Sequence, residues 1–261
     1  MAKDVAVKKE TAVAEFDDSI FLEDAGSGQE GMGREDLMIP RLSILQQMSP
    51  QVNKRDGAYV EGAEPGFILD NVGQKAIDGE AGISIVPISY RRAHIEWKPD
   101  RGGLVADHGS DSSCLDHCTR GGRGEYLTEE GNEIVPTGEY FVFMVDDDGY
   151  TPAMLSMAKS QLKKARQWNS MINRLMIDAG GKRINPAMFW TSYQLTTVPE
   201  ENDQGSWFGW SVKILHDAAS GGIIANHPQG KDIYLAARDF KAQLSTGEVR
   251  VSPEAQDDDV M

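Results

Sequence analysis

Residues 83–98 read ISIVPISYRRAHIEWK, and this stretch decides the fold. It is rich in β-branched and aromatic side chains that alternate with a period of two, so it predicts a long strand. Its apolar parity changes at Pro87, which predicts a bulge or corner there. Beyond the corner, Tyr90, Arg92 and His94 share one face, while Arg91, Ile95 and Trp97 share the other. Working towards the C-terminus, residues 98–136 are rich in Gly, Asp and Ser and read as a long inserted loop, a kind of segment that is usually functional or carries its own small structure. Residues 139–145 (EYFVFMV) are apolar on both parities and predict a central strand. Asp147, Asp148 and Gly149 then predict a hairpin turn into a strand over 150–157.

A helix is expected from about 156 to 179, stopping at Gly180 and Gly181, with Leu162, Ala165, Trp168, Ile172, Leu175 and Ala179 as its apolar stripe. Two strands follow, over 188–198 and 206–215, joined by a hairpin loop at 200–205 (EENDQG). A last helix is expected over 231–244. Working towards the N-terminus, 66–71 (GFILDN) is a short strand, and the apolar stretch 37–52, bounded by Pro40 and Pro50, reads equally as a strand or a short helix. The pattern is five to seven strands, two helices and one insertion, with no alternation of strand and helix. This is a β-rich α+β class: an antiparallel small barrel or half-open sheet, with two added helices and a long inserted loop.

The chain has 261 residues and a formal net charge of −15. Residues 1–35 hold nine acids and four bases, and residues 248–261 hold five acids and one base, so more than half of the net charge sits at the ends. Both ends read as disordered acidic segments flanking a domain over 36–247. A formal GSGQEG match at 26–31 has no strand leading into it and reads as a flexible linker. No apolar run of membrane-spanning length occurs, and the first residues carry no apolar signal-peptide core. The two cysteines fit a reducing compartment better than a disulfide scaffold. No Walker-type, GxSxG or HExxH motif is present, so no catalytic residue is expected.

Four features point to chemistry. Residues 159–183 hold seven bases against Asp178 alone. Within them, Lys159, Lys163, Arg166 and Arg174 fall on one helical face, a pattern that tracks phosphates or simply solvates the helix. Tyr90, Trp97, Trp168, Trp190, Tyr193, Trp207, Phe208 and Trp210 form an aromatic set from which a few exposed rings would stack bases. Trp207 and Trp210, with Tyr90, Arg91 and Arg92, are the candidates beside the stripe. In the inserted loop, His108, Cys114, His117 and Cys118 are all zinc-ligand types, although the adjacent His117 and Cys118 rarely hold one ion together. Last, Asp257, Asp258, Asp259, Val260 and Met261 form an acidic run with an apolar end, either a solubilising tail or a docking peptide for a basic pocket.

Several stretches together resemble the bacteriophage single-stranded DNA-binding proteins of the replication and recombination class: IPRLSILQQMSPQV, PISYRRAHIEW, SQLKKARQWNSMI, YQLTTVPEENDQGSWFGW and the DDDVM tail. The resemblance implies an OB-like core that coats single strands without sequence preference, and a tail that recruits replication or recombination proteins. It also implies, for some members, a structural zinc held by His and Cys. The expected partners are single-stranded DNA, those recruited proteins and a further copy of the chain, with no membrane, in the cytoplasm of a bacterial host. The alternative is a phage protein-interaction module, a polymerase regulator or virion component, that does not touch DNA.

Overall fold

The segment 83–98 forms the spine of the molecule. In the computed structural model, which describes residues 23–31, 38–99, 103–203, 205–216 and 220–246, the strands in chain order are β1 (Arg41–Ile44), β2 (Ile68–Asp70), β3 (Lys75–Ile77), β4 (Ile83–Trp97), β5 (Leu104–Asp107), β6 (Thr119–Arg120), β7 (Tyr126–Leu127), β8 (Glu133–Asp146) and β9 (Gly149–Ala158). After them come helix α1 (Leu162–Arg174), β10 (Ile177–Ala179), β11 (Lys182–Ile184), β12 (Tyr193–Asn202), β13 (Gly205–Ile214), α2 (Gly222–Asn226) and α3 (Gly230–Thr246). The chain divides into two units, Met1–Leu37 and Met38–Met261. In the first, residues 23–31 form turns, with the Ser27 amide donating to the Asp24 carbonyl at 2.9 Å. Everything below concerns the second.

β4 and β8 pair along almost their whole length, from Ser84 opposite Val145 to Trp97 opposite Glu133. The register shifts between Pro87 and Ser89, because proline has no N–H to give the ladder. This is the expected corner, and it swaps the faces of β4. Ile83 and Ile85 before the bulge and Tyr90 after it border one core, while Val86 and Ile88 border the other. The Asp147–Asp148 turn joins β8 to β9 as expected, with Asp146 opposite Gly149.

The sheet is a curled, mixed half-barrel in the order β13-β12-β4-β8-β9-β1-β2-β3, with β5 on β4 and the β6–β7 hairpin on β8. The antiparallel expectation is corrected at one junction, where β1 runs parallel to β9, Arg41 opposite Met154. Hairpin logic governs strands joined by a short turn, and these two neighbours are separated in the chain by seven other strands. The far ends of the curl meet through side chains. The Gln46 amide donates to the Phe208 carbonyl at 3.0 Å and accepts from the Phe208 N–H at 2.9 Å, mimicking one rung of a ladder. Thr197 adds a 2.5 Å bond from its hydroxyl to the Gly66 carbonyl.

Two cores sit on opposite faces of the sheet. One holds Tyr140, Tyr193, Leu195 and Trp210 under α1, whose Ala165 and Trp168 are buried in it. Trp168 stacks on Tyr140 with ring centroids 4.2 Å apart. The other places Ile233 and Ala237 of α3 against Val86, Ile88 and Phe143. A small third cluster, Leu45, Val60, Ala63 and Leu69, lies beside β1 and β2.

The expected helix over 156–179 is shorter at both ends. Residues 156–158 are still paired in β9, and a 3-10 turn at Lys159–Gln161 precedes α1. At the other end Leu175 turns extended, and the Asn185 amide reaches the carbonyls of Ile172, Asn173 and Leu175 at 3.2, 3.3 and 2.8 Å, satisfying acceptors that a helix end leaves open. Three helices rather than two are present among the described residues. Residues 188–190 form a 3-10 turn, so the strand expected from 188 starts at Tyr193. No helix among the described residues is long and apolar enough to cross a membrane.

Candidate nucleic-acid interface

Several elements converge on one cleft of about 450 Å³. β4 contributes Arg92, and the β6–β7 hairpin contributes Arg123 and Tyr126. The junction from β9 into α1 contributes Lys159, Ser160 and Arg166, and β13 contributes Trp207. The first turns of β8, from Glu133 to Pro136, line it as well. Each side chain arrives there for a local reason. Arg92 follows the Pro87 bulge, which turns the even-numbered residues of β4 to the α1 face. Lys159 has φ +48°, a left-handed conformation that non-glycine residues adopt at a cost. That reversal lets the chain leave β9 and enter α1 beside the cleft.

Trp207 is fixed from below. It pairs with Glu200 across the β12–β13 ladder, and its indole N–H donates to the Glu200 carboxylate at 2.9 Å. Glu200 also holds the Lys164 ammonium and accepts from the Gln161 amide at 3.2 Å. Gln161 in turn accepts from the Trp210 backbone N–H at 2.9 Å. The indole edge is therefore tethered while the ring stays half-exposed, which suits an aromatic platform.

Four cations (Arg92, Arg123, Lys159, Arg166) face two carboxylates (Glu125, Glu133) in the cleft, a local balance of +2 in a chain of −15. Lys159 bridges Glu133 at 3.3 Å. Among the described residues Arg92, Arg123 and Arg166 form no ion pair. Backbone N–H groups of Glu125 itself and of Arg123 hold the Glu125 carboxyl below its usual range, with Arg123 and Lys159 adding to the effect. At the cleft's edge the Arg120 guanidinium lies 3.6 Å over the Tyr126 ring, a cation–π contact.

The structure brings together Arg92, Lys159, Arg166 and Trp207 of the expected site residues. Lys163 and Arg174 lie outside the cleft on the exposed face of α1. Arg91 points to the opposite face, where it holds the Glu139 carboxylate, itself 1% exposed, and donates to Asp107 at 2.8 Å. Burial lowers the Arg91 pKa, but the two carboxylates outweigh it and hold the guanidinium charged. Tyr90 packs on Tyr140 at 4.9 Å. Trp210 is 0% exposed and belongs to the core, so it offers no stacking surface. The strand-alternation rule places Trp210 and Trp207 on opposite faces, and α1 covers the face that Trp210 takes. Arg120, Arg123 and Tyr126 were not singled out from sequence. Their signal was two arginines and a tyrosine inside a loop too long to be idle.

The four zinc-type residues do not fit a metal. Cys114 donates to the Asp111 carbonyl at 3.2 Å and Cys118 to the Cys114 carbonyl at 3.4 Å. The His108 Nε2 lies 2.8 Å from Glu96, and His117 is exposed. No group of three or more His, Cys, Asp or Glu placed to hold an ion occurs among the described residues. Burial pushes both thiols above their usual range, with Asp111 adding to the effect at Cys114 and Glu96 at Cys118. The tail residues Asp257 to Met261 lie outside the described residues.

The family of the chain is recognisable at this point. A family model described as Pam3 phage gp34-like protein matches residues 8–250, and the chain belongs to that family of phage proteins. No curated protein and no solved structure matches it.

Proposed function

We propose that this phage protein binds single-stranded DNA without sequence preference during phage replication or recombination, with the Asp257–Met261 tail recruiting partner proteins. The observation that carries this reading is the cleft. Three arginines that form no ion pair among the described residues, together with Lys159, surround a half-exposed Trp207 that is anchored by its edge. Cations that neutralise phosphates give affinity without sequence information, and a ring that stacks on any base adds to it. The half-barrel then serves as an OB-like platform: both faces are covered by core, and the rim between β4, β8 and the β12–β13 hairpin carries the strand. On this reading the protein acts as a binder rather than an enzyme.

The test is titration of intrinsic tryptophan fluorescence with poly(dT) at low and high salt. Trp168 and Trp210 are buried at 1% and 0% exposure, and the partly exposed Trp97 and Trp190 do not line the cleft, so a quench from stacking there is expected from Trp207 and is lost in Trp207→Phe. Arg92→Ala with Arg166→Ala is expected to weaken binding at least about tenfold and to reduce the salt slope by roughly 1.4, at about 0.7 per phosphate contact on a single strand. Absence of both quenching and filter retention at low salt overturns the reading. It would favour a protein-interaction module, which is supported by the pairing of Lys159, Lys164 and Arg91 with carboxylates.

A further inference from the structure

Among the described residues the β10–β11 hairpin pairs with no other strand. Its residues from Asp178 to Ile184 are exposed, and it stands off the end of α1 as an arm. In its register Ile177 faces Ile184, Asp178 faces Arg183 and Ala179 faces Lys182. Lys182 and Arg183 form no ion pair among the described residues. The arm's direction is set at its base, where Asn185 bonds the last carbonyls of α1. Between the cleft and the arm runs the exposed face of α1. Lys163, Arg166, Ser170 and Arg174 are all exposed, and at about 100° per residue they lie within roughly 80° of one another. The row therefore starts in the cleft at Arg166 and ends at Arg174, where the arm begins.

We propose that the arm is a second nucleic-acid contact, in which Lys182 and Arg183, continuing from Arg174, hold the phosphates of a strand that leaves the cleft along α1. This rests on the single-strand reading above and extends it. From Arg166 to Arg174 the helix rises about 12 Å, enough for up to about four phosphates at the 3.4 Å spacing of a helical strand. The cleft alone serves a short oligonucleotide, and the arm engages only a longer one. Charge supports this occupant: residues 174–184 carry three bases and one acid in a strongly acidic chain, and the row of bases is continuous with the cleft.

The full chain and its Lys182→Ala/Arg183→Ala variant are titrated, by fluorescence anisotropy, with oligothymidylates of about six and about twenty nucleotides. The variant is expected to lose about tenfold in affinity for the longer strand at low salt, to drop its salt slope by about 1.4, and to bind the short one within twofold of the parent. Lys182→Arg/Arg183→Lys, which keeps both charges, is expected to restore the longer-strand affinity. If the parent binds both strands and the alanine variant binds both as well as the parent, the arm proposal falls and the cleft reading stands. Equal weakening on both strands also overturns the arm's separate role. If the parent binds neither strand, both readings fall. Loss of self-association in the alanine variant by sedimentation, with long-strand affinity unchanged, gives the arm to a second copy of the chain instead.

Discussion

Lys159 concentrates the conflict between stability and binding in one residue. Its φ of +48° is strained for a side chain with a Cβ, and a left-handed residue costs of order 1 kcal/mol. Its bond to Glu133 is between half-exposed groups and returns little. Nothing in the fold therefore repays lysine at this position, whereas the proposed strand binding gives a charge at the mouth of the cleft a use. Lys159→Gly is expected to leave the urea midpoint unchanged or to raise stability by up to about 1 kcal/mol, while weakening binding to poly(dT) several-fold. A fall in both quantities would show that Lys159 holds the β9–α1 turn together. Glu200 shows the same economy in another form, since one carboxylate orients Trp207, Gln161 and Lys164.

Among the elements, the seam between the two ends of the curled sheet depends on close backbone approach. Gly66 (φ +91°) lies against the Phe208 ring, where an added Cβ would come within 2.7 Å of it. A Cβ on Gly79 would overlap the Gly66 carbonyl oxygen and the Thr197 hydroxyl. The Gly79 carbonyl also accepts the Thr197 N–H at 2.8 Å, so the backbone there has no room to retreat. Gly79→Ala is expected to cost about 2–4 kcal/mol in urea denaturation. Gly57→Ala, where a Cβ meets open space, should stay within about 0.5 kcal/mol. Equal effects from the two substitutions would refute a closed seam. The inserted segment is also built rather than loose. β5 extends β4, the β6–β7 hairpin extends β8, and the buried Glu96 bonds both Asn132 at 2.7 Å and His108 at 2.8 Å. That brace carries Arg123 and Tyr126 to the cleft.

At the scale of the whole molecule, the core under α1 is unusually rich in phenol and indole. Burial pushes the Tyr140 and Tyr193 hydroxyls well above the ordinary phenol range. Both groups hold their protons more tightly folded than unfolded, so their contribution is complete below the unfolded pKa near 10 and is lost as pH rises above it. Among the described residues no well-aligned hydrogen bond reaches the Tyr193 hydroxyl, and the neighbouring Trp168 side chain only partly offsets the effect of burial, so removing the hydroxyl sacrifices little. Tyr193→Phe is therefore expected to match the parent at pH 8. Between pH 10 and 11 it should retain about 1 kcal/mol that the parent loses, as measured by urea denaturation at each pH. An identical alkaline decline in both proteins would mean that Tyr193 is not kept protonated by the fold.

Much of this architecture is legible in local sequence. The Pro87 corner, the Asp147–Asp148 turn, the β12–β13 hairpin and the last helix all depend on signals within a few residues: a missing N–H, a turn dipeptide, a change of period. The basic character of α1 and the value of Trp207 could be read in the same way. What sequence could not supply was partnership across distance. Whether Arg91 or Arg92 faces the cleft, whether Trp210 or Trp207 is covered by α1, and whether β1 lies parallel to β9 depend on which face the curled sheet turns inward. The ends of α1 were misjudged for the same reason: residues 156–158 are held by β8, and the carbonyls of the last turn by Asn185. Sequence alone thus determined the longer elements, β4, β8, β9, α1, β12, β13 and α3, their order and the kind of charge they carry, and missed the short β3, β5, β6, β7, β10, β11 and α2. Tertiary structure decided which of those charges and rings share one cleft, because burial and pairing on a sheet are set by neighbours remote in the chain.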